Sequence, residues 1–333
     1  MSDFAASAAF SRMNMQAVAL APQYTMLGSD LQAMSKMDPV VAEVKFLERR
    51  ADMCASYGFN TPEQRKPFAF TNGLAIIPIS GSLINRFGSS YEGYVTGYNF
   101  IRRQLNLALA DEDVTGIIFD VNSYGGEAAG CFELAAEIRA SRKIKPSMAL
   151  VDSNAYSAGY ALASAASKVA VIPSAGVGSV GVITLHVDMS AALDKYGYKI
   201  TLIYEAEHKA DGNPYEPLPD AVKASVQTSI KKAYEVFVGV VAENLGIDPQ
   251  VIRDTKSRTF GADEALSLGL IHAIASPSEA AQAFFDELSG STSNLRTGAT
   301  MSTAQKTEPG AESQAATQAT AASAATEARA SER

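Results

Sequence analysis

A serine that opens a run of small residues, a lysine farther along in a polar loop, and two glycines behind an apolar strand could together cleave an acyl bond. The serine is Ser157 in "NAYSAGYALASAA", and the lysine is Lys209 in "EAEHKADGNPYEPLP", 52 positions on. The glycines are Gly125 and Gly126 in "FDVNSYGGEAAG". An alcohol is a poor nucleophile at neutral pH and needs a base beside it. A lysine can be that base only where its amine drops from an ordinary pKa of about 10.4 to roughly 7–8. Desolvation of the ammonium can supply the necessary ~4 kcal/mol. The site is therefore expected to be dry, and Glu207 and Asp211 oppose the chemistry if they face the amine.

Behind Ser157, Ala158 and Gly159 allow a tight turn into a helix, which aims the Ala158 N–H at a substrate carbonyl. Gly126, with Gly125 beside it, lets a peptide backbone approach closely, and its N–H is the candidate second oxyanion donor. Losing one such donor typically costs about 2.7–4 kcal/mol of transition-state stabilisation. Each part has a plainer reading: an N-capping serine, a glycine turn, a solvated lysine. The three histidines, His186, His208 and His272, stand in no recognisable triad context. His186 and Cys131 read as packing residues, and the ring of His208 is expected to diverge from its neighbour Lys209.

The elements that must hold these groups follow from apolar patterning. "GLAIIPISGSL" (73–83) reads as a strand ending in a glycine turn. A helix over 98–110 places Ile101, Leu105 and Leu109 on one face. "GIIFDVNS" (116–123) is a buried strand of the parallel type. A helix near 128–142, a strand from Ser147, the Ser157 helix and a strand near Val169 come next. Strands are expected at 180–187 and 199–204, flanking a short helix at 189–196. One long helix over 218–245 carries the stripe Val222, Val226, Ile230, Tyr234, Phe237, Val241 and Leu245, as a core or subunit interface. "TFGADEALSLGLIHAI" gives a helix, a stop at Gly269 and a last strand. This alternation predicts an α/β fold with a mainly parallel sheet and right-handed crossovers.

The chain has 333 residues, a net charge of −8 and two cysteines. That charge argues against nucleic acid as a partner. Cys54 and Cys131 are too few for a disulfide framework and fit a reducing compartment. No apolar run reaches membrane-span length, and the "QAVALA" stretch is too brief for a signal peptide. The expectation is a soluble, cytoplasmic protein. Residues 1–65 read as an N-terminal arm or leader, 66–288 as the domain that carries the candidate site, and 289–333 as a disordered tail too poor in apolar residues to pack.

From about Gly73 to Ala275 the chain resembles the signal peptide peptidase A (SppA) family of Ser–Lys proteases. It is more similar still to the capsid-maturation proteases of lambdoid tailed phages. "DVNSYGG" stands for the family's D-x-x-S-P-G-G loop, with Tyr124 replacing proline. "NAYSAGYALAS" matches the nucleophile segment, "GVGSVGVI" the Gly-Ser-(Ile/Val)-Gly-Val stretch, and "HKADGNPYEPLP" the lysine loop of the phage branch. "GADEALSLGLIHAI" matches the helix-to-strand ending of the wider superfamily, with His272 where aspartate is usual.

The resemblance implies a ClpP/crotonase-like spiral fold with an amphipathic helical extension. It makes Ser157 the nucleophile, Lys209 the base and then acid, Gly126, Ala158 and Gly125 the oxyanion hole, and Ser179 a hydroxyl that orients the lysine. No cofactor or metal is implied. Its implied work is that of a prohead protease cutting scaffold, capsid or portal proteins within a phage procapsid in the host cytoplasm. Its implied assembly is a homo-oligomeric ring, in which Lys209 could meet Ser157 of an adjacent chain. Met301 could start a separate scaffold product. The competing readings are a cytoplasmic SppA-like peptidase, an inactive structural capsid component, and an acyl-CoA enzyme on the same fold.

Overall fold

A computed structural model describes residues 17–20, 38–91, 93–290 and 296–297. The described chain opens with β1 (Val18–Leu20) and α1 (Pro39–Ser56). Asp38 caps α1 by accepting the Val40 N–H at 2.8 Å. Next come β2 (Ala69–Thr71), β3 (Leu74–Ile84), β4 (Ser90–Tyr91), β5 (Val95–Gly97) and α2 (Tyr98–Ala110). The central units are β6 (Gly116–Glu127) with α3 (Cys131–Ser141), and β7 (Ser147–Tyr156) with α4 (Ala158–Ser164). They are followed by β8 (Lys168–Val171) and β9 (Gly176–Gly178). The C-terminal part adds α5 (Ser190–Lys195), α6 (Asp220–Leu245), α7 (Pro249–Asp254) and β10 (Thr259–Gly261). It ends in α8 (Ala262–Ser267), β11 (Ala273–Ile274), α9 (Pro277–Leu288) and β12 (Arg296–Thr297).

The main path of the sheet runs β12-β11-β8-β7-β6-β3-β5-β4. Every pairing from β11 through β8, β7, β6 and β3 to β5 is parallel, while β1, β2, β4, β10 and β12 join antiparallel. This is the expected α/β fold with a mainly parallel sheet. Its centre is apolar because strands covered on both faces must be: Ile117, Ile118, Phe119 and Val121 of β6 are fully buried, as are Ala149, Leu150 and Val151 of β7.

All seven residues of α4 are buried, five of them alanine, glycine or serine and the other two Tyr160 and Leu162. At its C-terminal end the helix leaves unpaired carbonyls. The Arg142 guanidinium meets them, donating to Ala165 O and Ser164 O at 2.7 Å, and it also reaches Asn244 O at the end of α6 at 2.9 Å. The Tyr160 hydroxyl ties the same helix to Leu270 O at 2.6 Å.

Two expected strands are absent. Neither 180–187 nor 199–204 joins the sheet as a strand; Ile183 makes an isolated bridge to Val18. A strand needs a neighbour to satisfy its backbone, and the 199–204 stretch pairs with no strand among the described residues. It stays apolar and open instead: Tyr198, Ile200, Ile203 and Tyr204 are exposed, Ile203 at 96%. The long-helix stripe also divides. Phe237 and Val241 enter the core, whereas Val222, Val226 and Ile230 remain half-buried. Apart from 289–290 and 296–297, the tail expected beyond residue 288 lies outside the described residues, as does Met301.

Candidate active site

Ser157 sits at the corner where β7 ends and α4 begins, with φ 53° and ψ −119°. A left-handed φ at a non-glycine residue is strained and persists only where its surroundings enforce it. The enforcing contacts are visible. The Ser157 N–H donates to Gly178 O at 2.8 Å, and Ser157 O accepts the Ala161 N–H at 2.9 Å. Its hydroxyl makes only a long contact, 3.4 Å, to Gly181 O. A serine held on a strand-to-helix corner with its hydroxyl lightly engaged has the setting of an activated nucleophile. Gly159 lets that corner approach β6, because a Cβ there would lie 2.9 Å from Ser123 O.

The glycine strand is built by a residue whose role was not read from the sequence, Ser123. Its buried hydroxyl donates to Gly81 O at 2.7 Å and accepts the Gly125 N–H at 3.1 Å. The ladders on both sides of β6 slip here, between Ser80 and Ser82 toward β3 and between Val121 and Ser123 toward β7. Such irregularities re-aim a strand beside a site. With the Gly125 N–H engaged by Ser123, Gly126 is the donor of the pair that faces away from that turn, toward β1. A Cβ on Gly126 would collide with the Leu83 carbonyl, so no larger residue fits. Tyr124, in the usual proline position, accepts a hydrogen bond from Asn154 Nδ2 at 2.9 Å, and its ring lies at a tilt against that of Tyr156, 5.7 Å between centroids. The pattern D-x-x-S that precedes the glycines was the available signal for Ser123.

Ser179 is buried and follows the Gly178 carbonyl that holds Ser157; its own φ is 55°, and its N–H donates to Arg258 O at 2.8 Å. Lys209 lies in an exposed turn, its N–H donating to Ala206 O at 3.1 Å. Among the described residues, no hydrogen bond joins Lys209 to Ser157 within one subunit. The histidines have other partners. His208 pairs with Asp211 at 3.0 Å, and His186 Nε2 contacts Asn213 O at 2.8 Å. His272 accepts the Val169 N–H on Nδ1 at 3.0 Å, and burial lowers its pKa. It is a structural pin between β8 and β11. Cys131 is fully buried and its thiol is pushed up to about 12 by burial, which makes it inert.

A cavity of about 200 Å³ lies between α1 and the sheet, lined by Phe46, Arg49, Ser80, Asp120, Asn122 and Asp152. It does not contain Ser157. Asp120 and Asn122 alternate with Val121 and Ser123 along β6, so the two pairs face opposite sides of the sheet. Burial, and then repulsion from Asp152, push the Asp120 carboxyl up to about 6, against the Tyr57 hydroxyl and Arg49. The folded pKa thus exceeds the unfolded one. Its contribution to stability is fully present below the ordinary 3.8 and is lost as pH rises through about 6. Asp120→Asn keeps an acceptor for Tyr57 and removes the charge. The expected result is a higher thermal midpoint than wild type at pH 7.5, with the difference shrinking toward pH 4. A variant less stable than wild type at pH 7.5 would refute this account.

A strained serine at a strand-to-helix corner beside a glycine strand is a setting that suits a nucleophilic hydroxyl. Residues 139–289 match the model of Peptidase family S49. The chain is 38% identical over 253 residues to the capsid assembly protease C of Escherichia phage lambda, covering 75% of this chain and 57% of the relative. It is 36% identical over 247 residues to the head-tail preconnector protein GP5 of Enterobacteria phage P21, covering 74% and 48%. A third relative, described as a signal peptide peptidase SppA of Enterococcus faecium, is 24% identical over 205 residues, covering 61% of this chain and 58% of that one. The chain thus spans about half the length of its two phage relatives. Among the described residues, no helix is long and apolar enough to cross a membrane.

Proposed function

We propose that this chain is a serine endopeptidase of phage head maturation, cutting scaffold, capsid or portal proteins inside the procapsid. The observation that carries the reading is Ser157, held at φ 53° beside the Gly126 strand, in a segment that matches the family S49 model. Ser157 attacks the scissile carbonyl, and Lys209 takes the hydroxyl proton and returns it to the leaving amine. The N–H groups of Gly126 and Ala158 receive the oxyanion, and Ser179 orients the lysine. The phage relatives named for capsid assembly and head-tail connection support the role. The sheet topology is compatible with a ClpP/crotonase-like spiral, which we take as the finer fold.

The base comes from a neighbouring copy in a ring. Lys209 stands exposed on the single subunit, whereas the chemistry needs a desolvated amine. In the stretch of chain just before it, Tyr196, Tyr198, Ile200, Ile203 and Tyr204 expose apolar surface of the kind that marks a subunit contact. Residues 66–288 then act as the peptidase domain. Mixing tests this directly: Ser157→Ala and Lys209→Ala chains, each inactive alone, should regain cleavage when combined. Activity that stays absent on mixing, with both chains assembled, would place the dyad within one chain.

A further inference from the structure

β1 lies across the candidate site. It pairs antiparallel with the glycine end of β6, in the register Val18↔Glu127, Ala19↔Gly126 and Leu20↔Gly125. Its other edge meets the segment after the nucleophile corner. The Val18 N–H donates to Ile183 O at 2.9 Å, and the Ile183 N–H donates to Val18 O at 3.0 Å. Ile183 is two residues beyond Gly181, whose carbonyl contacts the Ser157 hydroxyl. Residues 17–20 therefore bridge the two backbone segments that flank Ser157. The Val18 side chain is 1% exposed, so a formed site holds it.

The ladder phase identifies the bond on offer. The Ala128 N–H donates to Ala17 O at 3.3 Å, which makes Ala17 and Ala128 a hydrogen-bonded pair. Antiparallel ladders alternate, so the next hydrogen-bonded pair is Ala19 with Gly126. Val18, between them, turns its polar groups to Ile183, as the alternation requires. The Gly125 N–H, opposite Leu20, goes to Ser123 instead. The carbonyl facing the Gly126 donor is thus that of Ala19.

We infer that Ala17–Leu20 is the chain's own substrate strand, seated in the cleft with the Ala19–Leu20 peptide bond presented to Ser157. This rests on the serine peptidase reading above. In the cut, Ser157 Oγ bonds to the Ala19 carbonyl carbon as the Ala19–Leu20 C–N bond breaks. The hydroxyl proton passes through the lysine to the Leu20 amine. Water then cleaves the ester, releasing an Ala19 carboxylate and restoring Ser157. Until that cut, the strand competes with any other substrate, and the cleft takes extended peptides with a buried aliphatic residue one position before the alanine at the cut.

Full-length wild type, Ser157→Ala and Val18→Pro chains test this, the last losing the Val18 N–H given to Ile183. Hydrogen exchange at the Ala128 and Ile183 amides reports seating of the strand without any activity, and mass spectrometry reports a chain beginning at Leu20. Both amides should be protected in Ser157→Ala and in wild type before the cut, and should exchange faster in Val18→Pro and in wild type once the Leu20 terminus has formed. Wild type should yield the Leu20 terminus, Ser157→Ala none, and Val18→Pro about tenfold less, as expected when the seated state falls from dominant to minor. Amides that exchange equally fast in all three chains would overturn the seating. Protected amides with head proteins cut but Ala19–Leu20 intact would overturn the presented bond. Protected amides with no Ser157-dependent cleavage of any protein would instead overturn the peptidase reading, and the self-cut with it.

Discussion

Ser157→Ala leaves the chain folded and roughly 10⁴–10⁶-fold slower in cutting its protein substrates, the scale of losing a nucleophile that works as a unit with its base. The loss of rate follows from the role proposed for Ser157, and the retained fold from the geometry. The hydroxyl has only the 3.4 Å contact to Gly181 O, so removing it strands no well-made hydrogen bond. Alanine carries the same Cβ as serine and bears the same left-handed φ, so the corner keeps its shape and its strain. The stability change is expected to stay below about 1 kcal/mol. The Gly178 and Ala161 bonds belong to the Ser157 backbone and survive the substitution. A gel assay of substrate cleavage beside a thermal midpoint separates the outcomes. Wild-type cleavage by the variant would remove Ser157 as nucleophile, and an unfolded variant would mean the side chain holds the corner together.

What the sequence made legible depended on how locally each feature is encoded. The helix over 98–110 and the strands beginning near Leu74, Gly116 and Ser147 were readable because burial on one or both faces imposes a period on the residues themselves. The glycine loop and the serine corner were readable for the same reason, as backbone geometry dictated their composition. The apolar stretches 180–187 and 199–204 misled, since an apolar run does not say whether its partner is in the same chain. Helix α1 carried no clear signal within residues 1–65, yet it adds Phe46, Met53 and Cys54 to the core. Those contacts are non-local. Ser123 lay within a quoted motif, but its work depends on Gly81, 42 residues away, and on a ladder slip no periodicity reveals.

Lys209→Arg is the substitution that separates a base from a mere positive charge. The arginine side chain keeps the charge and reach of lysine, and any contact between subunits that needs only a cation should persist. It does not release its proton near neutral pH, so it cannot take one from Ser157. A loss of about 10²–10⁴-fold in cleavage is expected, the usual contribution of general acid–base catalysis. The site suits the test because Lys209 is exposed in the subunit and, among the described residues, hydrogen-bonds through its backbone N–H, so the fold has little to lose. Sedimentation of the variant should match wild type while its cleavage rate falls. Cleavage at the full rate would mean that another group takes the proton. An altered assembly with the same loss would mean that Lys209 holds subunits together, leaving the search for the base to the groups that neighbour Ser157 in the assembled particle.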